Sequence, residues 1–196
     1  MERRREIRYF ELESPVGRLL VVLSEWGLLR IAFGESTPRE IERIAGRLRP
    51  RTEPAKVYGE PLEEELRSYF SGKPQPFKVP VDYGFVTPFS ADVLTALRKV
   101  PFGRTTTYGD LAGQVGRPKA ARAVGQAVGA NPIPIVIPCH RVFASDGTLG
   151  GYSGGLHRKK KLLEIEGLAI PPGGWTSSRW KRAQGNSGSR RQSAGR

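Results

Sequence analysis

The 196-residue chain is 38% hydrophobic and 26% charged, enough apolar material to bury a core as one domain or two small ones and too much for disorder throughout. Lys plus Arg number 32 against 19 acidic residues, and the net charge of +13 favours polyanionic partners, nucleic acid foremost. The single cysteine, Cys139, excludes an intrachain disulfide and a cysteine-rich zinc site, and no run approaches the roughly 20 apolar residues of a membrane-spanning helix.

The opening Met-Glu-Arg-Arg-Arg-Glu lacks the apolar stretch of a signal peptide, so a soluble, cytoplasmic protein is expected. Strands are predicted over residues 7–12, 18–23 and 28–33, because Ser14-Pro15-Val16-Gly17 and Ser24-Glu25-Trp26-Gly27 separate them with turn residues. A helix over 38–48 behind Thr37 aligns Ile41, Ile44, Ala45 and Leu48, and another over 61–70 aligns Leu62, Leu66, Tyr69 and Phe70. Sheet plus covering helices make an α+β unit. The Pro- and Gly-rich stretch 71–76, a strand over 78–81 and a linker near 82–88 close this half.

The second half turns helical. Ser90 is read as the cap of a helix through Val100, with Val93, Leu94, Leu97 and Val100 on one face. Thr107 caps a short helix carrying Leu111, Ala112 and Val115, and Pro118 opens a third with Ala121, Val124 and Val128 at helical spacing. Two short helices joined by a Gly-containing turn suggest a helix-turn-helix. The third is stripped of bulk by Ala120, Ala121, Ala123, Gly125, Ala127, Gly129 and Ala130, with Arg122 its only long basic side chain. Either another helix packs tightly there or a nucleic-acid groove comes close, with Arg122 reaching inward.

The proline-stiffened Ile133-Pro134-Ile135-Val136-Ile137-Pro138 leads into Cys139-His140-Arg141 and would fix the thiol's position. A free cysteine is usually a small buried hydrophobe, but neighbouring cations or an imidazole can lower its pKa from about 8.5 to roughly 3.5–7.5. His140 and Arg141 are the expected perturbers here. One cysteine and two histidines make a poor metal set, so no metal is expected. Gly147 to Gly155 form a glycine-rich loop in which Tyr152 offers an aromatic wall and Ser153 a donor. A basic helix then runs over 156–166 and stops at Gly167; Glu166 sits at its end, where the macrodipole disfavours a carboxylate, and His140 is its natural partner. From Pro171 onward Pro, Gly, Ser, Gln and Arg dominate, giving a flexible basic tail that is either a phosphate-binding arm or an inert extension.

Pro-Cys-His-Arg-Val at 138–142, the preceding Asn131-Pro132-Ile133-Pro134 and Gly-Tyr-Ser-Gly-Gly at 151–155 strongly resemble the O6-alkylguanine-DNA alkyltransferases, also called methylated-DNA–protein cysteine methyltransferases. The resemblance runs through about residues 87–168; the amino-terminal half agrees only in coarse pattern. It implies a ribonuclease H-like α+β domain over 1–86, a winged helix-turn-helix domain over 87–170 and the tail over 171–196. It also implies direct repair, in which O6-alkylguanine is flipped from duplex DNA and its alkyl group moves irreversibly to the protein, once per molecule.

Carried over residue by residue, Cys139 is similar to the alkyl acceptor, His140 to the base acting through a water, and Glu166 to the carboxylate orienting that histidine. Tyr108 resembles the donor to guanine N3, and Arg122 the finger that fills the vacated stack, on a helix whose small face (Ala121, Ala123, Gly125) enters the minor groove. Asn131 resembles the hinge, and the Val142 backbone with Tyr152 and Ser153 the pocket lining the flipped base. No cofactor and no metal are implied, since the amino-terminal half lacks the Cys and His of relatives that carry a structural zinc. The expected solution state is a monomer. Two rivals remain: a Cys-His-Glu hydrolase, for which no oxyanion hole is evident, and a lesion-binding module, which would not need the thiol.

Overall fold

The computed structural model describes residues 6–34, 49–50, 59–73 and 76–168, so the helix expected over 38–48 and the tail from 171 lie outside the described residues. Strands β1 (Glu6–Leu12), β2 (Leu19–Ser24) and β3 (Gly27–Phe33) form the two expected hairpins, with Leu12 opposite Leu19 and Ser24 opposite Gly27. A short β4 (Arg49–Pro50) runs parallel to β1, giving the order β3-β2-β1-β4. All of β2 is buried, and the period of two divides its side chains: Leu19, Val21 and Leu23 enter the main core, Leu20 and Val22 a second cluster with Ile7 and Leu29. Helix α1 (Gly59–Phe70) adds Leu62, Leu66 and Tyr69 to the main core.

The strand expected over 78–81 does not form. Pro80 has no N–H to give, and only a parallel bridge joins Val81 to Leu28, with the Leu28 amide donating to Pro80 O at 2.8 Å and the Asp82 amide to Leu28 O at 2.9 Å. Nor is 82–88 a loose linker, because buried Asp82 accepts the Ser24 hydroxyl at 2.7 Å and the Gly84 amide at 2.8 Å.

Helix α2 (Pro88–Arg98) is capped by Thr87 rather than Ser90: the Thr87 oxygen accepts the Ser90 amide at 3.2 Å, and Pro88 fills the first turn, where its missing N–H costs nothing. Strand β5 (Thr106–Thr107) passes directly into α3 (Tyr108–Gln114) through a capping box. Thr107 accepts the Asp110 amide at 3.1 Å and Asp110 accepts the Thr107 amide at 3.1 Å, which fixes Tyr108 as the first helical residue. Helix α4 (Ala121–Gly129) begins later than Pro118 suggests, because the chain first closes a turn with the Ala120 amide on Arg117 O at 2.8 Å. It buries Val124, Ala127 and Val128, and α2, α3 and α4 pack on one another. A 3-10 turn (Cys139–Arg141) leads into β6 (Val142–Phe143), parallel to β5, and α5 (Leu156–Ile165) follows the glycine loop.

The two halves share one core, a cluster that runs from Leu12 and Leu66 through Leu97 and Val124 to Leu162. Polar ties reinforce it: the Ile31 amide donates to Pro132 O at 2.9 Å, and Arg158 reaches Val16 O at 2.9 Å and Gly154 O at 2.8 Å while lying 5.0 Å over the Phe33 ring. Since the capping box sets the start of α3, Thr107→Ala is expected to lower stability by about 1 kcal/mol in urea denaturation while Thr107→Ser retains most of it; equal stability of all three proteins would remove the cap from this role.

Candidate active site

The segment that delivers Cys139 is closed on itself by one side chain. Buried Asn131 donates from Nδ2 to Ile137 O at 2.8 Å and accepts the Ile133 amide at 3.0 Å, and the Ile137 amide returns to Ile133 O at 2.9 Å. Within this loop Ile135 adopts φ 77°, a left-handed backbone that a β-branched residue enters only when its surroundings enforce it. The loop ends in the 3-10 turn, which leaves the Cys139 side chain buried, with the residue 5% exposed.

The next two residues converge on Glu166 at the end of α5. His140 Nε2 stands 2.7 Å from Glu166 Oε1, Arg141 donates from Nε at 2.9 Å and Nη2 at 2.8 Å, the Tyr69 hydroxyl donates at 2.8 Å and the Gly103 amide at 3.1 Å. Arg141 also reaches Val100 O at 2.5 Å. Burial pushes the Glu166 carboxyl up, but the hydrogen bonds and charges of His140 and Arg141 outweigh it and hold the group at about 2. Burial also lowers the His140 imidazolium below its ordinary value, against the pull of Glu166, so the ring is neutral near pH 7. A carboxylate facing Nε2 fixes the tautomer with its proton there, leaving Nδ1 as an acceptor without a protein partner among the described residues.

The expectation that His140 and Arg141 acidify the thiol is therefore corrected. Burial raises Cys139, and what partly offsets it comes from the Asn131 side chain, the Lys159 charge and the Tyr152 hydroxyl. The resting sulfur is a protonated thiol. Tyr108 and Tyr152, raised first by burial and then by Cys139, both remain protonated phenols beside it.

Other candidate residues are divided between this cluster and the surface. Half-buried Tyr108 packs under α4, where a Cβ on Gly125 would lie 3.8 Å from its ring. Arg122 and Ala123 are exposed on the outer face of α4, where an approaching groove would meet them; Ala121 is half-buried. Val142 is buried in β6. Exposed Ser153 lines a cavity of about 560 Å³ with Asn131, Pro134 and Gly154, a size within the usual range for small-molecule sites. Asn131 borders both that cavity and the thiol.

Pattern reading passed over three members of the cluster: Arg141 as a ligand of Glu166, Tyr69 from the other half of the chain, and Lys159. The Lys159 ammonium, brought down to about 8 by burial, donates to Val142 O at 2.6 Å and to Leu149 O and sits 5.0 Å over the Phe143 ring. Its signal was present in the sequence, since a lysine at 159 shares the buried stripe of α5 with Leu162, Leu163 and Glu166.

Fold and site together define a helix-turn-helix protein that carries a buried free cysteine next in the chain to a histidine–carboxylate pair. The comparisons with known proteins are specific. The family description "6-O-methylguanine DNA methyltransferase, DNA binding domain" matches residues 88–168, and its ribonuclease-like domain matches residues 7–83. The methylated-DNA–protein-cysteine methyltransferase of Salmonella typhimurium is 41% identical over 163 residues, covering 82% of this chain and 95% of that one. The crystal structure of the Mycobacterium tuberculosis O6-methylguanine methyltransferase is 36% identical, with a TM-score of 0.69 over 84% of this chain and 95% of that one. That organism's OGT in complex with DNA gives 37% identity and 0.68 over 84% and 94%. The chain belongs to the methylated-DNA–protein-cysteine methyltransferase family, with its ribonuclease-like and DNA-binding parts in the order expected from the sequence.

Because Glu166 is held at about 2 in the folded protein and a carboxyl is near 4.3 in an unfolded chain, its contribution to stability is complete above about pH 4.3 and disappears as pH falls toward 2. Glu166→Gln is expected to be less stable at pH 7 and to lose less stability than the wild type between about pH 4.5 and 2, measured by urea midpoints. Parallel curves for the two proteins would contradict this account.

Proposed function

We propose that this protein repairs alkylated DNA by taking the alkyl group of O6-alkylguanine onto Cys139, once and irreversibly. The observation that carries the reading is a thiol, 5% exposed, in a turn whose next residue is His140, held by Glu166. Family membership supplies the substrate class and DNA as the partner.

In this reading His140 takes the thiol proton through a water at Nδ1 as the flipped base arrives, and Glu166 keeps the ring oriented and its tautomer fixed. The thiolate attacks the alkyl carbon, the C–O6 bond breaks, and its electron pair returns to the guanine. Tyr108 donates a proton at N3, so the base departs neutral; burial keeps that proton on the phenol until the base arrives. The thiol is activated late rather than stored as thiolate, which keeps it unreactive between encounters. Lys159 holds the Val142 carbonyl, and the Val142 backbone, Tyr152 and Ser153 line the base. Asn131 is the hinge between α4 and the cysteine loop. The small face of α4, with Ala121, Ala123 and Gly125, lies in the minor groove, and exposed Arg122 enters the stack in place of the flipped base. The division at 86/87, the basic tail from 171 and a cytoplasmic setting belong to the same reading.

Intact and peptide mass spectrometry after incubation with an O6-methylguanine duplex is expected to show one added methylene on the peptide holding Cys139, one per molecule, and none in Cys139→Ser. Repeated turnover, or an unmodified Cys139 after prolonged contact, would overturn the proposal. Arg122→Ala is expected to slow repair in duplex DNA far more than reaction with free O6-benzylguanine; equal losses would remove the stacking role.

A further inference from the structure

We infer that Tyr69, carried by α1 in the amino-terminal half, is a positioning residue for proton transfer at His140 and acts through Glu166. The inference rests on the alkyl-transfer reading and adds to the site a residue from the other half of the molecule.

The Tyr69 hydroxyl donates at 2.8 Å to Glu166 Oε1, the same oxygen that faces His140 Nε2 at 2.7 Å, and lies 3.4 Å from that nitrogen itself. The side chain has little freedom to do otherwise. It is 2% exposed, and Phe70, Phe77 and Phe102 surround its ring at centroid distances of 5.3, 5.9 and 5.8 Å, two of them edge-on. Burial, followed by the charge and hydrogen bond of Glu166, keeps the phenol protonated, so toward the carboxylate it acts as a donor. A donor on Oε1 draws electron density from the atom that would stabilise the His140 imidazolium, and it fixes that atom in place. Two consequences follow: the imidazole stays neutral to lower pH, and its Nδ1 stays aimed.

Every charged group facing this imidazole has a defined sign. Glu166 favours the imidazolium, while Arg141 from the same turn and Lys159 from α5 disfavour it. Among the described residues Tyr69 is the one neutral hydroxyl in the group, and it weakens the favouring member without adding charge. Tyr69 and Arg141 also line a cavity of about 410 Å³ with Phe77, Arg98 and Phe102, so removing the whole ring would expose Glu166 to that cavity. The informative change is therefore the loss of the oxygen alone.

Single-turnover methyl transfer from an O6-methylguanine duplex is measured across pH for wild type, Tyr69→Phe and a protein carrying 3,5-difluorotyrosine at 69. Tyr69→Phe is expected to transfer roughly tenfold more slowly at pH 7, a fraction of the 10²–10⁴ that a positioned base supplies, with its acid limb displaced to higher pH. Duplex affinity, read in a Cys139→Ser background, is expected to stay at the wild-type value. The difluorinated phenol, a stronger donor of nearly the same size, is expected to displace the acid limb to lower pH. An acid limb that moves in neither protein assigns Tyr69 to packing alone and overturns the proposal, whatever happens to rate or melting temperature. If Tyr69→Phe fails to fold, the fluorinated protein decides by the same criterion. A wild type that transfers nothing overturns the alkyl-transfer reading instead.

Discussion

One buried carboxylate organises this molecule. Glu166 terminates α5, where the helix dipole works against it, and it is tolerated because donors arrive from three other places: the cysteine turn through His140 and Arg141, α1 through Tyr69, and the loop after α2 through the Gly103 amide. The Arg141 guanidinium neutralises it, and Val100 O takes one further guanidinium N–H. Removing one member of such a buried pair typically costs about 3–5 kcal/mol, because the remaining charge is stranded. The histidine–carboxylate pair is thus also one of the ties between the two halves, through Tyr69.

The thiol is governed by the opposite balance. Glu166 is buried but surrounded by donors, so attraction wins and it stays ionised; Cys139 is buried with weaker help from Asn131, Lys159 and Tyr152, so desolvation wins and it stays protonated. An acceptor that reacts only once has reason to be quiet at rest, since a standing thiolate would be consumed by adventitious oxidants and electrophiles. In the proposed mechanism reactivity arises at the moment of use, with His140 neutral and its tautomer fixed.

Positioning of that sulfur depends on a short loop held under tension. Asn131 spans it with two hydrogen bonds, and Ile135 stays in a left-handed conformation because both ends are pinned, one of them also to β3 through Pro132. The loop begins where α4 ends, so the helix with the small outer face and Cys139 are joined by a segment with few ways to move.

Elements built from neighbouring residues were legible before any coordinates. The hairpins, α1, the Thr107 cap and the α5 stop at Gly167 follow from turn residues, caps and periodicity, which act over a few positions. So did the juxtaposition of Cys139 with His140 and the need of Glu166 for a partner. Boundaries slipped where a single side chain decided them: Thr87 rather than Ser90 took the cap, Pro118 sits within a turn instead of starting a helix, and Pro80 left 78–81 without a ladder. The meeting of His140 and Arg141 on Glu166, the state of the thiol, and the contacts of Lys159 and Tyr69 were decided only by the tertiary structure. Tyr69 and Glu166 are 97 positions apart in the chain. Propensity and capping read neighbours, whereas a buried polar group finds its partners by where the whole fold brings distant segments together, and its protonation follows from that meeting.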